Sequence, residues 1–186
     1  MKAWAPHDPA LAAALMAMAA LATAMGIGRF AFTPMLPLMQ LHDLVSLRQG
    51  GYLASANYVG YLLGALLLFA FDPTPGRAAK FGLAAVAAST LAMAFTSSFW
   101  LGLLLRLIAG VASAFVLVGV SGWALGVLET YDRPRWTGWV FAGVGAGILF
   151  AGAAVLAIGS ADVALAVGWI VLGAAACCVA LVAVGR

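Results

Sequence analysis

The sequence predicts an all-α integral membrane protein with six transmembrane helices, and two observations support that prediction. Of its 186 residues, 66% are hydrophobic and 8% are charged, whereas a soluble domain carries about 45–50% apolar and about 25% charged residues. Six uncharged stretches each reach the roughly 20 residues that cross a bilayer as a helix, and they are too long and too uniformly apolar for barrel strands. These stretches are residues 9–28, 49–71, 81–105, 107–128, 136–161 and 163–185.

The first helix is predicted over 9–39. Asp8-Pro9 is typical of a helix start, with an aspartate cap followed by proline in the first turn. A signal peptide that begins at Lys2 is the competing interpretation, but the apolar stretch is too long and no clean cleavage site follows it. We therefore expect a mature helix that stays in the membrane.

Turn and capping residues set the bounds of the other five helices. Ser46 and Gln49 have capping-box spacing, and the segment 72–76 contains two prolines and a glycine that end the second helix. Thr96-Ser97-Ser98 predicts a turn between the third and fourth helices, and polar loops at 129–135 and 159–162 separate the rest. The helices are predicted over 47–71, 78–96, 98–128, 134–158 and 162–185.

The distribution of basic residues predicts the orientation in the membrane. If the N-terminus is cytoplasmic, the cytoplasmic side carries six basic residues outside the spans and the opposite side carries only Arg48. The six are Lys2, Arg77, Lys80, Arg133, Arg135 and Arg186. Both termini are then cytoplasmic, and the net charge of +3 reflects topology, so no nucleic-acid partner is expected.

Small residues one turn apart predict close contacts between helices, because backbones can approach where no side chain intervenes. The pairs lie in the second, fourth and fifth helices, which indicates a compact bundle. They are Gly60 with Gly64, Gly110 with Ala114, Gly122 with Gly126, and Gly143 with Gly147.

Two arginines interrupt the apolar stretches. Arg29 and Arg106 each lie about 10 Å of helix rise from the outer end of a helix. A guanidinium stays protonated, and inserting one near a helix centre costs roughly 2.5–3.5 kcal/mol. Because all six acidic residues lie in loops or at helix ends, the compensating anion is expected to be a solute or a carboxylate of a partner protein.

Polar side chains accompany the arginines on the first two helices. Thr33 lies one turn from Arg29, and Asn57 and Tyr61 lie one turn apart with Tyr58 beside them. Either these groups line a cavity with the two arginines, or they bridge helices. Arg106 could likewise form a salt bridge or bind backbone carbonyls instead of a solute.

Other residue types argue against metal, redox and hydrolytic chemistry. Cys177 and Cys178 lie in the sixth stretch, where packing is the usual role of cysteine, and His7 and His42 are too isolated for a metal site. Ser121 lies in a GVSG segment like that of rhomboid-type proteases, which need a histidine on a later helix, and none follows His42. We expect no cofactor, no metal and no enzymatic activity.

Three segments are distinctive: GIGRFAFTPMLPLM at 26–39, GYLASANYVGYLLGA at 51–65 and TSSFW at 96–100. Together they resemble the YbfB/YjiJ branch of the major facilitator superfamily. The resemblance covers most of the chain, and it implies the N-terminal six-helix half of a twelve-helix transporter of the bacterial inner membrane. Helices one and four begin two three-helix groups of opposite direction, as in inverted repeats with a site between them.

Shorter motifs extend the resemblance. Arg106-x-x-x-Gly110 resembles the superfamily motif associated with coupling, and Gly143-x-Gly145-x-Gly147 resembles the glycine-rich motif between the halves, without its usual proline. The conformational loop motif after the second helix departs from the family pattern, since Pro73-Thr74-Pro75 separates its first two members. That motif corresponds here to Asp72, Gly76, Arg77 and Lys80.

The resemblance implies a secondary active transporter that moves a small solute by alternating access, and the two arginines make an anion the expected solute. Superfamily members rock two six-helix halves against each other, whereas 186 residues supply one half. Three interpretations stay open: a truncated or interrupted gene product, a half-transporter that pairs with itself or a separately encoded partner, and an autonomous six-helix protein. The alternative function is a membrane scaffold or assembly subunit without transport.

Overall fold

The computed structural model describes residues 8–161 and 164–184, and every regular element in these ranges is a helix. Six of the helices are apolar and long enough to cross a membrane, so the chain is an all-α membrane protein. They are α1 (Pro9–Leu41), α2 (Leu47–Phe71), α3 (Pro75–Phe95), α4 (Phe99–Thr130), α5 (Pro134–Ser160) and α6 (Leu165–Val184). Lys2, His7, Asp162 and Arg186, used in the sequence analysis, lie outside the described ranges.

Side chains cap the helices where the sequence predicts. Asp8 Oδ1 accepts a hydrogen bond from the Ala10 N–H at 3.0 Å. The capping box before α2 is confirmed, because Ser46 Oγ accepts from the Gln49 N–H at 3.2 Å and Gln49 Oε1 accepts from the Ser46 N–H at 2.9 Å. Helix α3 begins at Pro75 instead of residue 78, since proline fits the first turn of a helix.

Helix α1 is the central element of the bundle. It contacts α5, α4, α3 and α6, while α2 packs mainly on α4, and α3 and α6 pack on each other. Of the residues in the most apolar window of α1, 61% are buried, against 22% for α2 and for α5. The faces of α2 and α5 are therefore the most open parts of the six-helix unit.

Glycines lie where helix backbones touch. A Cβ on Gly60 would meet the carbonyl of Leu107, and a Cβ on Gly110 would meet the carbonyl of Asn57, so α2 and α4 approach closely at both positions. Along the contact of α1 with α5, a Cβ on Gly143 or Gly147 would meet the backbone of α1. Gly64 similarly faces Val111 on α4.

The expected packing of Gly122 with Gly126 is wrong for this bundle. A Cβ on Gly126 would meet nothing within 4 Å, and one on Gly122 would meet only the Pro75 ring at 3.7 Å. Small-residue spacing predicts a smooth helix face but does not say whether a neighbouring helix covers that face.

Helix α1 changes its hydrogen-bonding pattern in the middle. Residues Ala22–Phe30 form a π-helical segment, and the α-helix resumes at Phe32 after a turn at Ala31. Pro34 lacks an N–H and is the residue in this part of the sequence that predicts a kink, but the distortion extends over the preceding π-helical turns, Ala22–Phe30. Segments with i→i+5 hydrogen bonds are uncommon and are frequent at functional sites.

An aspartate with a positive φ angle lies at the C-cap of one helix and directly after the C-cap of two others. Asp43, Asp72 and Asp132 have φ values of 54°, 41° and 53°, and Asp72 is the C-cap of α2. Aspartate and asparagine tolerate this left-handed conformation, whereas a β-branched side chain does not.

Replacing Asp72 by valine is therefore expected to destabilise the detergent-solubilised protein by about 1–2 kcal/mol. Asp72→Asn should leave the unfolding midpoint close to that of the wild type, because asparagine adopts the same conformation. Thermal unfolding measures both variants, and equal midpoints for the two would contradict the strain at this cap.

Candidate functional site

Arg106 binds the backbone of α1. Its side chain is 4% exposed on α4. Nη1 donates to the carbonyl of Gly28 at 3.0 Å and Nη2 donates to the carbonyl of Arg29 at 3.1 Å. The Phe32 ring lies 4.7 Å from its Cζ atom. Of the roles that the sequence left open, this geometry is that of a clamp on two carbonyls.

Those carbonyls lie where α1 is irregular. Gly28 and Arg29 lie at the end of the π-helical segment, where i→i+5 bonding gives way to i→i+4 bonding. Pro34 has no N–H, so it cannot donate to the carbonyl of Phe30, four residues before it, or to that of Arg29, five residues before it. A backbone carbonyl at membrane depth needs a donor, and the guanidinium of Arg106 supplies one to each.

Arg29 is surrounded by aromatic rings. Its Cζ atom lies 4.1 Å from the ring centroid of Tyr61, 5.0 Å from that of Tyr58 and 5.5 Å from that of Phe30. Such distances give favourable cation–π contacts. Within residues 8–161 and 164–184, no acidic side chain forms an ion pair with Arg29, and its buried Nε has no hydrogen-bond partner.

The terminal nitrogens of Arg29 differ from its Nε. The structure gives neither of them a hydrogen bond to a described residue, and neither is among the fully buried nitrogens. Arg29 is half-buried, and the Tyr58 side chain beside it is 55% exposed. The end of the guanidinium therefore reaches an open face of the bundle next to α2.

The other predicted polar residues fall in different environments. Asn57 is 1% exposed, and its Nδ2 donates to the carbonyl of Arg106 at 3.0 Å, so it bridges α2 and α4. Thr33 is exposed on α1, one turn from Arg29. The structure thus brings together Arg29, Tyr58 and Tyr61, with Arg106 and Asn57 behind them.

Ser113 is a further polar contact that the sequence analysis did not identify. It is fully buried on α4, and its Oγ lies 3.0 Å from the carbonyl oxygen of Ala24 and 2.7 Å from that of Ala109. Ser113 lies seven residues after Arg106, so both face α1. A polar residue at that spacing in an apolar helix is the signal that could have indicated it.

Gly28 lets these helices come together. A Cβ at this position would lie 2.8 Å from Val86 Cγ1 and 3.3 Å from Ser113 Oγ. The close approach of α1 to α3 and α4 therefore favours glycine beside the clamped carbonyls.

The residues of the loop motif lie at the end of α2 and the start of α3. Asp72, Gly76 and Arg77 are exposed, and Lys80 is partly buried in α3. In the described part of the chain, Asp72 and Arg77 form no ion pair, and a Cβ on Gly76 would meet nothing within 4 Å. Contacts among the described residues therefore do not account for glycine at position 76 or arginine at position 77.

Comparison with known proteins gives one family. A family model described as "Uncharacterised MFS-type transporter YbfB" matches residues 21–185, which include the whole π-helical segment, Arg29, Arg106 and helices α2 to α6. No curated protein matches the chain.

Proposed function

The chain belongs to the YbfB family of MFS-type transporters, and from that premise we propose that it moves a small anionic solute across the membrane by alternating access. The family supports membrane transport in general. We infer the negative charge of the solute from the environment of Arg29.

A permanent cation with open N–H groups carries the proposal. Arg29 lies inside a membrane-spanning helix, its charge contacts three aromatic rings, and no acidic group pairs with it in the described ranges. A charge at this depth is stable only if it faces water, a polar partner or a bound counter-ion. An anionic solute would neutralise it and gain two parallel N–H donors.

The open face next to Arg29 supports a second six-helix unit. A guanidinium beside a half-exposed tyrosine is poorly suited to lipid tails, so this face needs a cover that admits water. Helices α2 and α5 are the least buried in the bundle. A Cβ on Gly145 of α5 would meet nothing within 4 Å. We place a second copy or a separately encoded half there, with two inverted three-helix repeats in each half.

We also propose an orientation, which rests on the distribution of basic residues. With both termini in the cytoplasm of a bacterial cell, the positively charged loops between α2 and α3 and between α4 and α5 lie on the cytoplasmic side of the inner membrane. Asp72, Gly76, Arg77 and Lys80 would then contact the second half at that side.

Transport by purified protein in liposomes tests the proposal. The probes are labelled benzenesulfonate, succinate and phosphate, which cross lipid slowly without a carrier. Arg29→Ala is expected to lower the flux of the accepted anion at least roughly ten-fold, in line with the loss of a charge-assisted hydrogen bond.

Arg48→Ala is the matched control. Arg48 also contacts a tyrosine, with its Nε donating to the Tyr52 hydroxyl at 3.2 Å, but it is exposed at the start of α2. The Arg48→Ala variant should transport the accepted anion at the wild-type rate. A wild-type rate in Arg29→Ala would refute the proposed anion site. Absence of flux for every anion in the wild type, with altered assembly in Arg29→Ala, would favour the scaffold.

A further inference from the structure

We infer that the open face at Arg29 binds an aromatic monocarboxylate, an inference that rests on the proposed transport function and names its substrate class. Three features of the described residues restrict the ligand: the number of free cations, the absence of membrane-embedded acids and the rings around the guanidinium.

Within the described six-helix unit, the site at Arg29 offers one cation, not two. Both terminal nitrogens of Arg106 donate to carbonyls of α1, at 3.0 and 3.1 Å, and its side chain is 4% exposed. Among the described residues, Arg29 is therefore the one cation with unpartnered N–H groups at the open face. A monoanion balances that charge, whereas a dianion would leave one negative charge without a direct partner in this unit.

Among the described residues, the site at Arg29 also has no acidic side chain that could pair with an ammonium ion. Among the described residues, the acidic side chains are Asp8, Asp43, Asp72, Glu129 and Asp132, and all of them lie in caps, loops or the last turn of a helix. A zwitterion such as an amino acid would therefore bring a cation beside Arg29 without an acidic partner. This disfavours amino acids relative to simple carboxylates.

The rings around Arg29 give the ligand its shape. A carboxylate that pairs with the terminal nitrogens lies in the plane of the guanidinium. The guanidinium lies over the Tyr61 ring at 4.1 Å, and the Tyr58 ring stands 5.0 Å away with 55% of its side chain exposed. The body of a ligand in that plane extends along aromatic surface, where a flat aromatic ring makes the largest contact.

Equilibrium binding to the purified full chain in detergent tests the inference, with benzoate as the probe. We expect saturable benzoate binding that weakens at least ten-fold in Arg29→Ala and is unchanged in Arg48→Ala. Arg29→Lys should bind with intermediate affinity, since it keeps the charge without the fork, and it provides a second variant if Arg29→Ala fails to fold. Tyr61→Leu should weaken binding about five-fold, while Tyr61→Phe should retain it.

Three ligands define the specificity. Benzamide has the shape of benzoate without its charge, succinate has a second charge, and phenylalanine adds an ammonium group, so each should bind at least ten-fold more weakly than benzoate. Succinate binding as tight as benzoate, or benzoate binding that survives in Arg29→Ala, would overturn the inference. Because binding needs no flux, benzoate binding without transport would refute the proposed function alone, and transport of succinate without benzoate binding would refute this inference alone.

Discussion

Replacing Arg106 by lysine is expected to weaken benzoate binding strongly, although the positive charge remains. The guanidinium donates to two carbonyls at once, those of Gly28 and Arg29. Lysine carries a single compact ammonium group and cannot reproduce that planar fork. The loss of one hydrogen bond to a charged group costs about 1.5–3 kcal/mol, and the freed carbonyl leaves the backbone that carries Arg29 without a fixed position. We expect an affinity roughly 10- to 100-fold lower.

We expect this loss because, in the proposed site, Arg106 positions Arg29 and does not contact the ligand. Amide hydrogen exchange over residues 22–33 reports this role, because the π-helical segment Ala22–Phe30 is the part that Arg106 holds. Exchange there should rise in Arg106→Lys and stay at the wild-type level in Arg29→Lys. Weaker binding in Arg106→Lys with unchanged exchange would mean that Arg106 acts on the ligand directly. Unchanged binding would remove both roles.

The six membrane helices could be predicted from the sequence, because their signals are local. An uncharged run of about 20 residues has few stable structures other than a membrane helix. The cap at Ser46 and Gln49 depends on residues three positions apart, and the structure confirms it. The start of α3 was missed by three positions, from 78 to Pro75, because proline in a loop and proline in a first turn look alike in sequence.

The π-helical segment could not be predicted, because its stability depends on a distant residue. The donors that satisfy the carbonyls of Gly28 and Arg29 come from Arg106, 78 and 77 positions away in the chain. Pro34 indicated that α1 is irregular, but not that the irregularity takes the form of i→i+5 bonding over Ala22–Phe30.

The different contacts of the two arginines could not be predicted from the sequence either. Hydropathy shows that Arg29 and Arg106 are both unusual, and it treats them alike. The structure separates them, because one guanidinium meets carbonyls at 3.0 and 3.1 Å and the other meets tyrosine rings at 4.1 and 5.0 Å. Their roles in solute binding remain predictions, as do those of Thr33, Asn57, Tyr58 and Tyr61.

Replacing Gly147 by valine is expected to cause a large loss of stability in the bundle. The nearest atoms to a Cβ at this position are the carbonyl group and Cα of Ala22, and Gly26 in turn approaches the backbone of Gly147. These neighbours are backbone atoms, so no side-chain rotation relieves the clash. Overpacking commonly costs 1–3 kcal/mol where side chains can adjust; here we expect at least about 3 kcal/mol or failure to fold.

Gly145 provides the matched control, since it lies two positions away on the outer face of α5. A Cβ there would meet nothing within 4 Å, so Gly145→Val should leave the unfolding midpoint of the monodisperse, detergent-solubilised chain nearly unchanged. Gly147→Ala should fall between the wild type and Gly147→Val, because a single methyl group separates α1 from α5 by less. Thermal unfolding and the yield of folded protein measure this order. Equal loss in the variants of Gly145 and Gly147 would mean that helix flexibility, rather than the contact of α5 with α1, is what these glycines provide. The contact of α5 with α1 lies beside the π-helical segment, since Gly147 faces Ala22. Gly147→Ala should therefore also weaken benzoate binding, because it shifts the backbone that carries Arg29 away from Arg106.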